Sequence, residues 1–368
     1  MLRCMYSGIS GMKVNQQKLD VTGNNIANVG TTSFKASRAT FTDMLYQNSA
    51  VATSPTANKG GTNAKQVGLG AKLASIDRVM SQGNALSTGR TLDVCIDGEG
   101  YFIVGNGIID YEKDGTTLNN NMITGGNMSI NYTRDGNFQL DYEGNLVTSD
   151  GYRVMGYLLT AKTYDKDGTE ITDGVPVSAT SSIDKDGVVQ YVDADGVLKA
   201  ADDNVLQPLR IPDTVHVPAY TPEGKDEVEA SDQKVQSFTI GKDGVITAVL
   251  ANGSRTAIGQ IAMASFKNPA GLTGLGGNLY EVSANSGAEL VKTPINIDKD
   301  EKGDPKADSN LDNSKGFGEM IQGCLEASNV DLTEQFTDMI TATRSFQAAS
   351  KMITTGDEIL QTITGLMR

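Results

Sequence analysis

The chain has 368 residues, 38% of them hydrophobic, enough for two or three domains with cores of their own. Its formal charge of −14 excludes a nucleic-acid binder built on clustered Lys and Arg, and it opposes docking on an anionic membrane. No run reaches the ~18 apolar residues of a membrane span. The opening "MLRCMYSGISGMKVNQQ" has no continuous apolar core and no small-residue cleavage site, so no cleaved signal peptide is expected.

The first predicted element is a helix. Met5, Ile9, Met12, Gln16, Leu19, Gly23 and Ile26 follow a 4-3 spacing that lines up one face. Gly8 and Gly11 each weaken such a helix by about 1 kcal/mol relative to Ala, a cost that close approach by a neighbouring helix would offset. Gly30, before Thr31 and Thr32, marks its stop. Residues 31–85 form a connecting region. Within it, residues 48–65 are poor in large apolar side chains and read as a surface loop or extended arm.

From residue 86 the pattern changes to short alternating runs, as in "TLDVCIDGEGYFIVGNG" and "QSFTIGKDGVITAVLANGSRTAIGQIAMASF". Asp135-Gly136, Glu143-Gly144, Asp150-Gly151, Asp243-Gly244 and Asn252-Gly253 offer the positive-φ turns of hairpins. Residues 86–160 and 205–297 are therefore assigned to one all-β domain. The more acidic stretch 161–204 reads as a small inserted outer β module, because strand-like sequence resumes after it. Residues 298–317, "DKDEKGDPKADSNLDNSKG" with its neighbours, read as a polar linker.

The last predicted element is again helical, within residues 318–368. Asp331 and Glu334 make a capping-box-like start. Leu332, Phe336, Met339, Thr343, Phe346, Ser350, Ile353, Asp357, Leu360, Thr364 and Met367 then repeat the 4-3 spacing. A helix of that length spans about 54 Å at about 1.5 Å per residue and reads as a bundle or coiled-coil element. Thr, Ser and Asp on its seam imply many shallow contacts. The fold class is thus mainly β with α-helical termini.

No catalytic, cofactor or metal site emerges. His216 is the one histidine, in an alternating strand, and neither G-x-S-x-G nor a P-loop is present. Cys4, Cys95 and Cys324 are an odd set, far apart, and fit neither a disulfide framework nor a zinc pattern. Alternation places Cys95 in a buried strand. The front half of a calcium loop at Ser182, Asp184, Asp186 and Gly187 lacks helical flanks, and turn geometry already accounts for its Asp-Gly.

Four stretches share one resemblance. "SGISGMKVNQQKLDVTGNNIANVGTTSFKASRATFTDMLYQ", "GNALSTGRTLDVCIDGEGYFIV", "YTRDGNFQLDYEGNLV" and "GCLEASNVDLTEQFTDMITATRSFQAASKMITTGDEILQTI" resemble the bacterial flagellar rod and hook family. The Asn-Asn-Ile-Ala-Asn run at 24–28 and the Leu-Glu-Ala-Ser-Asn-Val-Asp-Leu run at 325–332 are its specific signals. Within the family, "SRATFTDMLYQ" and "QVGLGAKL" look hook-like, while a distal rod subunit is the alternative. The rival from another class is a secreted β-rich hydrolase or adhesin.

The resemblance implies that the N- and C-terminal helices pair into a coiled-coil inner domain, joined through the connecting region 31–85 to the β domain, in a structural subunit that polymerises helically into a curved, flexible tube joining rod to filament. It implies partners of three kinds: further copies of the chain, other axial proteins (rod, hook–filament junction, hook cap) and the flagellar type III export apparatus. The expected location is the hook and basal body, outside the cell after export without cleavage. The expected subunit-interface residues are Met5, Ile9, Met12, Leu19, Asn24, Asn25, Ile26, Asn28, Leu332, Phe336, Met339, Phe346, Ile353 and Leu360. For the asparagines two readings stand. Their carboxamides pair with a neighbouring subunit, or they cap and tie their own chain.

Overall fold

The computed structural model describes residues 2–56, 58–108, 116–119, 122–125, 128–162, 181–184, 186–202, 205–219, 229–292, 294 and 317–366. They belong to two compact units: Met1–Ser81 with Ser328–Arg368, and Gln82–Ala327.

In the first unit, helix α1 (Leu2–Ala27) ends where the Asn28 amide donates to the Asn24 and Asn25 carbonyls. A tight turn through Ser33, at φ 56°, leads into strands. Strand β1 (Ser37–Asp43) pairs antiparallel with β4 (Ala71–Arg78), and β2 (Tyr46–Ala50) with β3 (Lys65–Gly68). Bridges Thr53↔Thr62 and Thr56↔Lys59 continue the pairing, so residues 37–78 form one two-stranded ribbon. Its outer half, residues 45–68, is exposed throughout its described length. Its inner half packs on α1. A Cβ at Gly70, where φ is 116°, would collide with Ser10 Oγ of that helix.

Among the described residues of the second unit the strand ladders are antiparallel, with one isolated parallel bridge, Gln190↔His216. Its first strands are β5 (Ala85–Ser87), β6 (Val94–Asp97), β7 (Tyr101–Gly107), β8 (Thr116–Asn119), β9 (Met122–Gly125) and β10 (Met128–Thr133). Then come β11 (Phe138–Leu140), β12 (Leu146–Thr148), β13 (Arg153–Tyr157), β14 (Leu159–Lys162), β15 (Val197–Ala200), β16 (Val205–Pro208) and β17 (Thr214–Val217). The rest are β18 (Ser231–Ile240), β19 (Val245–Leu250), β20 (Arg255–Ile261), β21 (Met263–Phe266), β22 (Thr273–Gly276), β23 (Leu279–Glu281), β24 (Glu289–Val291), β25 (Glu319–Gln322) and β26 (Cys324–Glu326). The main path runs β17-β18-β19-β20-β13-β7-β10-β23-β22. Strand β7 is its hub, flanked by β10, β13 and β21, and Tyr101 through Gly105 are all buried. Phe102 meets Phe138 edge-on at 5.1 Å between ring centres. Such pairs add about 0.5 to 1.5 kcal/mol beyond area burial.

One ionic group sits inside this apolar unit. Arg134 Nε donates to Glu326 Oε2 at 3.0 Å, and both side chains are at most 4% exposed. Arg134 Nη2 also donates to the carbonyls of Ile96 and Gly98, while Glu326 Oε1 accepts from the Gly83 amide. The Tyr101 ring lies 5.7 Å from the guanidinium carbon. These partners meet the hydrogen-bonding needs that a buried charge pair must satisfy.

The structure revises two predicted boundaries. Residues 319–326, grouped above with the helical C-terminal part, are strands: β25 pairs with β6 and β26 with β5. Their alternation, with Met320 buried and Glu319 exposed, has the period of a strand, and helix α2 (Leu332–Leu366) starts only after Asp331. The second revision concerns 161–204. Ile183, Val189 and Tyr191 belong to the same core as Val94, Phe138 and Leu146. The Tyr191 amide donates to the His216 carbonyl, and that of Ala257 to Val192. These three residues therefore complete the larger core, while Ala161 and Val192 join Leu159, Val245 and Ala257 in a second, smaller cluster. Residues 163–180, and all of the predicted linker 298–317 except Gly316's neighbour Phe317, lie outside the described residues.

Candidate assembly surface

Helices α1 and α2 run antiparallel within the first unit, and small residues bring them together. A Cβ at Gly8 would stand 3.2 Å from Ile353 Cγ1 and 3.4 Å from the Ala349 carbonyl oxygen. One at Gly356 would stand 3.3 Å from Met5 Cγ. Gly11 faces Ala349. A methyl at Gly8 or Gly356 would crowd the facing helix, whereas one at Gly11 would make ordinary contact. Lys18 Nζ reaches Asp338 Oδ1 at 2.9 Å, a half-exposed pair worth at most about 1 kcal/mol.

The start of α2 is fixed locally. Asp331 Oδ1 accepts from the amides of Thr333, at 2.8 Å, and Glu334, at 3.4 Å. That satisfies donors which the first helical turn leaves free. Further along, the hydroxyls of Thr337, Thr341, Thr343, Thr355, Thr362 and Thr364 each donate to the carbonyl four residues earlier. Such back-bonding slightly weakens and bends a helix.

Two asparagines tie the helix pair to the ribbon. Asn25 is 1% exposed. Its Nδ2 donates to the Ser37 carbonyl at 2.8 Å, and its Oδ1 accepts from the Ser37 amide at 2.9 Å. The carboxamide thus imitates a strand partner for the first residue of β1. Its second N–H reaches Gln335 Oε1 of α2 at 3.0 Å. Asn329 does the same for the other chain end. Its Oδ1 accepts from the Ala36 amide, and its Nδ2 donates to the carbonyls of Val79 and Ser81. Lys35 is 2% exposed and donates to that same Ser81 carbonyl.

The positions of the predicted interface residues differ from one another. Met5, Met12, Leu19, Ile26, Asn28, Met339, Phe346, Ile353 and Leu360 are half-buried within the unit. Ile9, Asn24, Leu332 and Phe336 are exposed. Asn25 is spent inside its own chain. Asn28 Nδ2 bonds the Asn24 carbonyl and Oδ1, so these two form a local bracket at the helix end. The 4-3 stripe on α1 is also out of phase. Gly8, Val14, Thr22 and Asn25 are the buried positions, whereas Ile9 and Gln16 face solvent. Apolar periodicity misses this face because glycines and polar groups supply much of it. The roles of Asn329, Gln335 and the Lys18–Asp338 pair had no periodic signal.

A different set of side chains stays in solvent. On α2, Phe336 is 50% exposed, Ile340 63% and Leu366 81%. Met352, Ile359 and Ile363 join them. Scattered exposed apolar residues are ordinary, but here they recur along one helix, as on surfaces that meet another protein. Of the groups considered for chemistry, His216 Nδ1 pairs with Asp232 Oδ1 at 2.8 Å on the edge pair β17–β18. Among the described residues no cluster of His, Cys, Asp and Glu could hold a metal ion, and no described helix is long and apolar enough to cross a membrane.

Comparison with known proteins gives these features a family. Three family models match: "Flagella basal body rod protein" at residues 5–35, "Flagellar hook protein FlgE/F/G D1 domain" at 121–191, and "Flagellar basal body rod FlgEFG protein C-terminal" at 321–366. The flagellar basal-body rod protein FlgG of Bacillus subtilis is 38% identical, with 100% of both chains covered. The flagellar hook protein FlgE of Borreliella burgdorferi is 29% identical, again with 100% of each covered. That of Helicobacter mustelae is 44% identical over 159 residues, 43% of this chain and 31% of its own length. The chain belongs to the family of bacterial flagellar rod and hook axial proteins.

Proposed function

We propose that this chain is a structural subunit of the flagellar hook, polymerising helically into a curved, flexible tube between rod and filament. The observation that carries the reading is the helix pair. Its small residues make the contact within the chain, while large apolar side chains along α2 are left for neighbours. Identical subunits joined by heterologous, non-closing contacts generate such a tube. In it the terminal helices form a coiled-coil inner domain around an axial channel, and the ribbon-bearing segment 31–85 connects them to the β domain. Met5, Ile9, Met12, Leu19, Ile26, Leu332, Phe336, Met339, Phe346, Ile353 and Leu360 line the contacts between subunits or support the helices that make them. The work is mechanical and needs no catalysis.

Its partners are further copies of itself, the adjoining rod, junction and cap proteins, and the export apparatus that delivers it to the flagellum. The local match to a hook protein at 44% identity supports the hook. A second reading, the distal rod subunit, is favoured by the rod-named relative that matches end to end. Deletion of the gene tests both. Basal bodies whose rods are complete but bear no hook support the proposal, and truncated rods support the second reading. Purified protein that stays monomeric under all assembly conditions and cleaves a polysaccharide would overturn both.

A further inference from the structure

Strand β6 meets two strands from the far end of the chain. Cys95 lies opposite Ile321 in the β6–β25 ladder. At Gly323, where φ is 77°, the chain turns, and the Gly323 amide donates to the Asp93 carbonyl at 2.7 Å. Cys324 follows at once as the first residue of β26, which pairs with β5 and also packs on β6. Along β6, Val94 and Ile96 point into the apolar core, so Cys95 points to the opposite face, where β26 brings Cys324 and Glu326.

We propose that Cys95 and Cys324 are a convertible dithiol that closes to an intrachain disulfide, locking the returning strand β26 onto β6. Cys95 is 2% exposed and Cys324 is half-buried, so the two differ in access. Burial, followed by the neighbouring Cys324, Glu326 and Asp97, pushes the Cys95 thiol up to about 11. Cys324 is therefore the sulfur that meets an oxidant first. As a thiolate it attacks a small disulfide, releasing one small thiol and leaving a mixed disulfide on its own sulfur. Cys95 then attacks the Cys324 sulfur, and the second small thiol departs carrying the proton that Cys95 gives up. Two protein thiols are oxidised and one small disulfide is reduced. A thiol that ionises with difficulty is also a poor leaving group, so the closed bond resists exchange. The loop it closes contains most of residues 82–327.

The test uses full-length protein carrying Cys4→Ser, reduced, freed of reductant and incubated with oxidised glutathione at about pH 8. It is then acid-quenched, unfolded and alkylated. The expected result is an intact mass lower by two hydrogens, with no glutathione adduct and no alkylation. A peptide linking Cys95 to Cys324 should be recovered, and the melting temperature of the β unit should rise, reverting on reduction. A persistent glutathione adduct on Cys324 with Cys95 still alkylatable would overturn the proposal. So would disulfide-linked dimers, or two free thiols after prolonged incubation.

Discussion

Asn25 shows how one side chain can hold a join. Its carboxamide presents an acceptor and a donor in the order a strand would, and Ser37 uses both. Asn25→Ala is expected to destabilise the first unit by about 1 to 3 kcal/mol for each Ser37 backbone group left unpaired. Asn25→Asp should cost at least as much, since a carboxylate keeps the acceptor but buries a charge and sets oxygens against the Ser37 carbonyl and Gln335 Oε1. Thermal unfolding, with hydrogen exchange on residues 37–43, reports both, and exchange unchanged in Asn25→Ala would refute the role. Ile353 lies against Gly8. Ile353→Asp loses about 1.5 to 3 kcal/mol of burial and adds a charge that must be desolvated or drive the helices apart. The expected outcome is loss of polymer by sedimentation and microscopy, while the circular dichroism of the β strands is kept. Gln361→Asp, on an exposed site, should assemble almost normally. Normal tubes from Ile353→Asp would remove the helix pair from the assembly contact.

Among elements, β26 carries one half of the buried ion pair. Glu326→Ala leaves Arg134 charged and buried, which is expected to cost about 3 to 5 kcal/mol. The double replacement Arg134→Met with Glu326→Leu should recover most of that loss, because apolar groups of similar volume need no partner. Denaturant midpoints of the unaltered protein and the two variants decide it, and a double variant no more stable than Glu326→Ala would contradict the argument. Replacing residues 161–204 by a Gly-Ser linker should lower the melting temperature of the β unit, since Ile183, Val189 and Tyr191 are removed from its core. An unchanged melt would restore the reading of a separate inserted module. These elements mark the reach of the sequence. The helical ends were legible through apolar spacing, and the start of α2 through Asp331. Gly144, Gly151, Gly244 and Gly253 have the positive φ expected of their turns. Gly136 does not. There a Cβ would strike the Val94 carbonyl, a tertiary reason that no dipeptide rule contains. The acidic composition of 181–195 hid its core residues, and the Cys95–Cys324 proximity depends on a ladder between distant segments.

On the scale of the whole chain, one compact unit is continuous in sequence and the other is not. The first unit takes α1 and the ribbon from the early part of the chain and α2 from the late part, whereas Gln82–Ala327 forms the second. Pairing α1 with α2 therefore requires closure of a very long loop, whose entropic cost rises only slowly with length but must be met before the contacts form. The helix pair has weak local support as well, with glycines in α1 and back-bonded threonines in α2. Its order of formation follows from these facts. During synthesis the β unit can fold as soon as residue 327 is available, but the clasp of Asn25 on Gln335 has to wait for α2. A chain broken off in the middle of α2 would keep the clasp, because Gln335 lies in the first turn, but would leave Met5 and Gly8 of α1 without Gly356 and Ile353. In the proposed assembly, closing the far half of the helix pair thus serves as a test of completeness, admitting only molecules whose last helix has arrived.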